Sequence, residues 1–373
     1  MRNRLAKLLA ETDDPATIAE LLEFADTGQT SPQLSALDGT TLQELYERFL
    51  ARRRNRSPAT RSQYKRTIPT FVDYAKTNDV VTPAGISVGL LDEFVDTLQN
   101  TYDTDATILT YTKNVRGWLR WLNRRNYCSE RVYRILDKDE LGLSPTARDE
   151  ALPSEQAEIV LTRLRQQRRG SLMHALVELL WNTGPRIGGV HSLDVTDFDA
   201  KNNEIRFRHR PSEGTRLKNG SGSDCRVGDG ERNVVLQECV VTALEDYLQF
   251  ERPDITDEYS REPLFVTQYG RAARSTIRRK VYEATSCRWL SEVEGAERCT
   301  GNCDPDSDVC WHSYYPHAIR RGAIVHHLSG GLRPDIASER FDVSVSTIRK
   351  HYDPRSKRKR KEDRLAHVQA SWT

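Results

Sequence analysis

Apolar residues recur at three- and four-residue intervals from Thr40 onward. In "TTLQELYERFLARRRNR" this spacing puts Leu42, Leu45, Tyr46, Phe49 and Leu50 on one face, as an amphipathic helix requires. "SPATRSQYKRTIPTFVDYAKTND" continues the pattern, with Ser57 placed as an N-cap and Pro58 in the first turn. Two more helical stretches follow, "SVGLLDEFVDTLQNTY" and "ATILTYTKNVRGWLRWLNRRNY". Helices joined by short connections predict a compact all-α domain over residues 38–135. Ahead of it, residues 1–37 hold a short amphipathic stretch and a polar "TGQTSPQLSALDG", read as a loosely attached arm.

Residues 136–153 are polar and contain Pro145 and Pro153, the composition of an interdomain linker. The second domain, residues 154–357, opens with the helical runs "SEQAEIVLTRLRQQRR" and "SLMHALVELLWNTG", the latter stopped by Gly184. After "RIGGVHSLDVTDFD" come two β-prone runs, "NEIRFRHR" and "ERNVVL", around a Gly/Ser-rich hairpin loop. Helical periodicity returns in "ECVVTALEDYLQF", "STIRRKVYEATSCRW", "PHAIRRGAIVHHL" and "VSTIRKHY", and residues 358–373 form a basic tail. The fold class expected is mainly α with a small β-hairpin sheet (α+β), in two domains.

Composition narrows the function classes. A chain of 373 residues supports two cores, and 37% hydrophobic with 29% charged residues suits a globular rather than a disordered chain. No apolar run approaches the roughly 20 residues a membrane span needs. The start, "MRNRLAKLLAETDD", lacks a signal-peptide core, so the cytoplasm is the expected compartment. A net charge of +2 leaves room for a local basic face. Arg52, Arg53, Arg54, Arg56, Arg61, Lys65, Arg66, Lys113, Arg116, Arg120, Arg124 and Arg125 crowd the first domain, with Tyr64, Tyr111 and Trp118 interleaved. This is the pattern of a phosphate-contacting surface; solvated helix faces are the alternative.

Of seven cysteines, Cys287, Cys299, Cys303 and Cys310 fall within 24 residues. The odd number and a reducing compartment argue against a disulfide framework. Cys299, Cys303, Cys310 and His312, with Cys287 upstream, offer soft ligands for a structural zinc; thiols in an insertion loop are the alternative.

Four further fragments share a context. "NTGPRIGGVHSLDVTDFD" resembles the first arginine box of the tyrosine recombinases, the phage-integrase family, with Arg186 in the arginine's place. "GTRLKNG" resembles that family's hairpin lysine at Lys218, for which Lys201 or Arg216 could substitute. "HAIRRG" is similar to its His-x-x-Arg box at His317 and Arg320, and "HYD" to its nucleophile box at Tyr352. The order and spacing agree over residues 155–355, and the helical domain before them is similar to the family's core-binding domain.

The resemblance implies a helical domain and a catalytic domain that together encircle duplex DNA at the nucleoid, four protomers acting on two sites. It implies cleavage by tyrosine through a 3′-phosphotyrosyl intermediate, with no cofactor required. Arginines would clamp the phosphate, His317 would bond it or take a proton, and Lys218 would protonate the leaving 5′-oxygen. Two positions depart from the family's pattern. Gly189 stands where an acidic residue is usual, and Asp342 stands near the usual histidine or tryptophan before the nucleophile helix. An aspartate cannot donate to a phosphate as imidazole does, leaving His326, His327 or His351 as replacements. Divergent archaeal-type integrases accommodate such changes. The alternatives are a type IB topoisomerase and a DNA-binding regulator that kept the fold without catalysis.

Overall fold

A computed structural model describes residues 39–145, 149–218, 230–291, 293–296, 303, 309–310 and 312–353. The expected arm, residues 1–37, and tail, residues 358–373, lie outside these. The chain forms two compact units that meet in sequence between Arg148 and Asp149.

The first unit is helical: α1 (Leu42–Ala51), α2 (Pro58–Thr77), α3 (Val88–Thr101), α4 (Asp105–Asn123) and α5 (Glu130–Arg134). Thr41 starts α1 through a reciprocal capping box, its hydroxyl accepting from the Glu44 amide while the Glu44 carboxylate accepts from the Thr41 amide. Ser57 caps α2 by accepting from the Thr60 amide, and Pro58 is its first residue. The apolar faces meet in an aromatic core, with Phe71 5.1 Å from Phe94 and 6.2 Å from Trp118 between ring centroids.

Two expectations about this unit need correction. Trp118 and Tyr111 are buried core residues rather than members of a basic surface, because the helical period turns them inward. The expected linker is also largely docked. Leu136 and Leu143 are buried in the first unit's core, and the Ser144 amide bonds Asp105 at 2.7 Å. Leu152 is buried in the second unit, its amide donating to the Ala318 carbonyl. Spaced leucines gain more from burial than a polar average over the segment suggests.

The second unit is built around α7 (Leu172–Thr183), apolar on nearly every side and therefore central. Against it pack α6 (Ser154–Gln167), α9 (Glu238–Phe250), α10 (Arg274–Ala284) and α11 (Pro316–Ser329). Between α7 and α9 lie the short α8 (Ile187–Ser192) and an antiparallel sheet of order β1 (Phe198–Asp199), β2 (Glu204–Phe207), β3 (Arg232–Val235). β2 and β3 are the two β-prone runs, in a register that sets Phe207 opposite Arg232. β1 and the ribbon of β4 (Val266–Thr267) with β5 (Gly270–Arg271) were not expected, since two-residue strands leave no alternation to read. The last described elements are α12 (Pro334–Phe341) and α13 (Val345–His351), packed with the end of α11 around Phe341, Ile348 and Tyr352. Among the described residues, no helix is long and apolar enough to cross a membrane.

Candidate active site

One cavity of about 1340 Å³ in the second unit is lined by Arg186, Lys218, His317, Arg320 and Tyr352, the five residues singled out from four separate fragments. Neither Lys201 nor Arg216 lines it.

Arg186 is placed by the end of α7. Gly184 terminates that helix at φ +49°, and a Cβ there would come within 2.8 Å of the Phe341 ring, so glycine alone fits. The chain turns through Pro185, and Arg186 becomes the N-cap of α8. Its side chain, 25% exposed, forms an ion pair with the carboxylate of Asp342. Gly189, at the usually acidic position, instead packs against Phe207.

His317 and Arg320 stand one turn apart at the start of α11. Arg320 is only 1% exposed. Its two terminal nitrogens donate to the carbonyls of Gly184 and Phe341, each at 2.6 Å, which joins the ends of α7 and α12. Burial, then the charge of Arg186, pushes its pKa down to about 9, which leaves it protonated at neutral pH. Around His317, crowding by protein, then by Arg320, Arg321, Arg186 and Lys218, lowers the imidazolium pKa to about 4. The ring nevertheless reaches solvent, so it is neutral and accessible near pH 7.

Tyr352 is the C-cap residue of α13, its amide donating to the Ile348 carbonyl at 2.9 Å. The ring is 7% exposed and packs with Phe341 and Ile348. The Arg321 guanidinium lies 5.4 Å from the ring centroid and is itself held by Asp149.

Asp342 occupies a left-handed conformation, φ +50°, as the C-cap of α12. Aspartate tolerates this region better than bulky residues, which explains its presence at the turn. Of the three histidines considered as replacements, His327 lines the cavity and bonds the Ala323 carbonyl through Nδ1 at 2.8 Å. His326 instead pairs with Ser154, and His351 does not line the cavity.

Arg232 and Arg340 also line the cavity and were missed. Arg232 stacks 4.2 Å from the Phe207 ring centroid and donates to the Arg340 carbonyl at 2.7 Å. Burial lowers its pKa to about 10, so it too stays charged. Only the strand register brings it here; the sequence signal was a single arginine opening a strand. Cations from Arg186, Lys218, Arg232, Arg320 and Arg340 outnumber the acids Glu231, Glu339 and Asp342 around the cavity, which suits an oxyanion such as a phosphodiester.

Of the expected metal ligands, Cys303 and Cys310 come together, joined by Cys287. His312 is not in this group. Cys299 lies outside the described residues.

Residues 44–126 match the family model described as phage integrase, N-terminal SAM-like domain. The chain is 26% identical over 229 residues to tyrosine recombinase XerD of Oceanobacillus iheyensis, covering 60% of this chain and 69% of the relative. It is 24% identical over 285 residues to tyrosine recombinase XerC of Herpetosiphon aurantiacus, covering 75% and 83% respectively. Its fold is similar to that of the Tn1549 transposon integrase, solved with a circular intermediate DNA. That match has a TM-score of 0.65 and 16% identity, and covers 87% of this chain and 99% of the other. A lambda integrase dimer bound to a core site matches with a TM-score of 0.59 and 10% identity, covering 91% of this chain and 86% of the other. By sequence over its helical unit the chain is similar to the phage-integrase N-terminal domain, and over most of its length it shares the fold of the solved tyrosine recombinases.

Proposed function

We propose that the protein is a site-specific DNA recombinase that cuts and rejoins strands through a 3′-phosphotyrosyl intermediate. The observation that carries this reading is the convergence of Arg186, Lys218, His317, Arg320 and Tyr352 on one cation-rich cavity. The phenol oxygen of Tyr352 attacks phosphorus, forming a phosphotyrosyl bond as the bond to the 5′-oxygen breaks. His317, neutral at physiological pH, accepts the phenol proton or donates its ring N–H to the phosphate. Lys218 gives a proton to the leaving 5′-oxygen. Arg186 and Arg320 hold the non-bridging oxygens, where charge builds in the transition state. Attack by a 5′-hydroxyl on the phosphotyrosyl bond then restores the diester and the phenol. Bonds broken and made are equivalent, so the exchange calls for no external energy source and the protein side chains supply its acid–base groups.

The partner is duplex DNA, and exchange between two sites calls for four protomers. Eight of the twelve basic residues singled out from the sequence, including Arg54, Lys65, Arg66, Lys113 and Arg120, are exposed and suit phosphate contacts.

The test is covalent trapping on a nicked suicide substrate. Wild-type protein is expected to form a denaturant-resistant protein–DNA adduct, and Tyr352→Phe none, with noncovalent binding kept within about twofold. An adduct with Tyr352→Phe places the nucleophile elsewhere. No adduct with wild-type protein favours a binding protein, and relaxation without exchange favours a topoisomerase.

A further inference from the structure

The sulfurs of Cys287, Cys303 and Cys310 lie within 4.8 Å of one another, all half-buried, although 16 and 7 positions separate them along the chain. Thiolates around a tetrahedral zinc, with Zn–S of about 2.3 Å, stand roughly 3.8 Å apart, so small adjustments bring the three onto one ion. The surroundings already suit a thiolate. The Cys287 amide points at the Cys310 sulfur at 3.2 Å, and the Ser313 hydroxyl lies 3.5 Å from the same sulfur. Polar hydrogens aimed at a ligand sulfur orient it and spread its charge.

The cluster has a defined place in the fold. Cys287 follows the end of α10 and Cys310 precedes the start of α11, so the group closes the base of the insertion between these helices. Beside it, the Tyr314 amide donates to the Thr285 hydroxyl at 2.9 Å, a second tie between the same two segments. The strand it secures leads directly into His317 and Arg320.

We propose that Cys287, Cys303 and Cys310 form a structural zinc site that anchors the entry to α11. In the structure Cys303 is paired in a disulfide whose other half lies outside the described residues, while Cys287 and Cys310 carry thiols. A thiolate ligand cannot also be half of a disulfide, so zinc occupancy requires the reduced state of Cys303, and the two states exclude each other.

The test uses the full chain, purified with a reductant and without chelator, and does not depend on recombinase activity. Elemental analysis is expected to give about one zinc per chain. Replacing zinc by cobalt is expected to give the thiolate charge-transfer and visible bands of a tetrahedral site, at an intensity corresponding to at least three cobalt–sulfur bonds. Cys310→Ser should lower zinc binding at least tenfold, whereas Cys239→Ser, exposed and outside the group, should leave it unchanged. If Cys310→Ser does not fold, the cobalt spectrum of the unaltered chain still decides. Reduced, zinc-supplemented protein that carries no metal, or a cobalt spectrum with fewer than three sulfur ligands, overturns the proposal. So does persistence of the Cys303 disulfide under reduction, read by alkylation and mass spectrometry.

Discussion

Asp342 holds Arg186. The two residues are 156 positions apart, and their ion pair spans the left-handed turn after α12 and the turn before α8. In the proposed reaction an aspartate at this position would act on the phosphate indirectly, through the arginine it orients. Asp342→Asn keeps a residue suited to the left-handed turn and removes the charge. It should slow cleavage about tenfold, a loss of about 1.4 kcal/mol of transition-state stabilisation, without weakening noncovalent DNA binding. Single-turnover cleavage and filter binding measure the two effects separately. Unchanged cleavage would reduce Asp342 to a helix cap.

The two arginines should separate in stability. Arg320 is buried with carbonyl partners at both terminal nitrogens, whereas Arg186 is partly exposed. Arg320→Ala strands the carbonyls of Gly184 and Phe341 and should cost about 2–4 kcal/mol in urea unfolding. Arg186→Ala should cost under about 1 kcal/mol. Both variants should lose cleavage.

Gly184 offers a test away from any charged group. Gly184→Ala puts a methyl at positive φ against Phe341, and unfolding should become easier by about 1–3 kcal/mol. Because the Gly184 carbonyl also fixes Arg320, the cleavage rate should fall even at temperatures where the variant remains folded.

Acid should destabilise the second unit in two steps. Burial first, then neighbouring arginines, holds His191 at about 4 instead of 6.5, so the unfolded chain takes up a proton that the folded chain refuses. Stability present above about pH 6.5 is therefore lost as pH falls toward 4. Asp257 adds a lower window. Burial opposes its charge, but bonds from Arg271 and from the Arg261 and Tyr259 amides outweigh that and hold it at about 2. Its contribution, present above about pH 4, is lost as pH falls through 2. Urea midpoints between pH 7 and 3 check the sign. His191→Gln should flatten the first window if the substitute packs.

The basic residues of α4 should divide by their environment. Arg120 is exposed, whereas Arg116 is tied to Asp137. Arg120→Ala should weaken DNA binding and make the salt slope shallower by about 0.9 per lost phosphate contact. Arg116→Ala should leave the slope nearly unchanged and reduce stability instead. Equal slopes for the two variants would remove the distinction.

Local patterns in the sequence were enough for the helical unit and for picking out the four fragments whose residues line one cavity. Caps such as Ser57 and the apolar face Leu42, Leu45, Tyr46 and Phe49 act over a few residues, and amphipathic period directly states which side is buried. The same period also turned Tyr111 and Trp118 inward, a detail lost when residues were grouped by charge rather than by face. What tertiary structure alone decided were relations between distant segments. The Arg186–Asp342 pair, the carbonyl ties of Arg320, the arrival of Arg232 beside them and the choice of Cys287 over His312 each depend on where separate elements end. Those positions follow from how the helices pack around α7 and from the register of β2 with β3, and packing of this kind leaves no mark at fixed spacing along the chain.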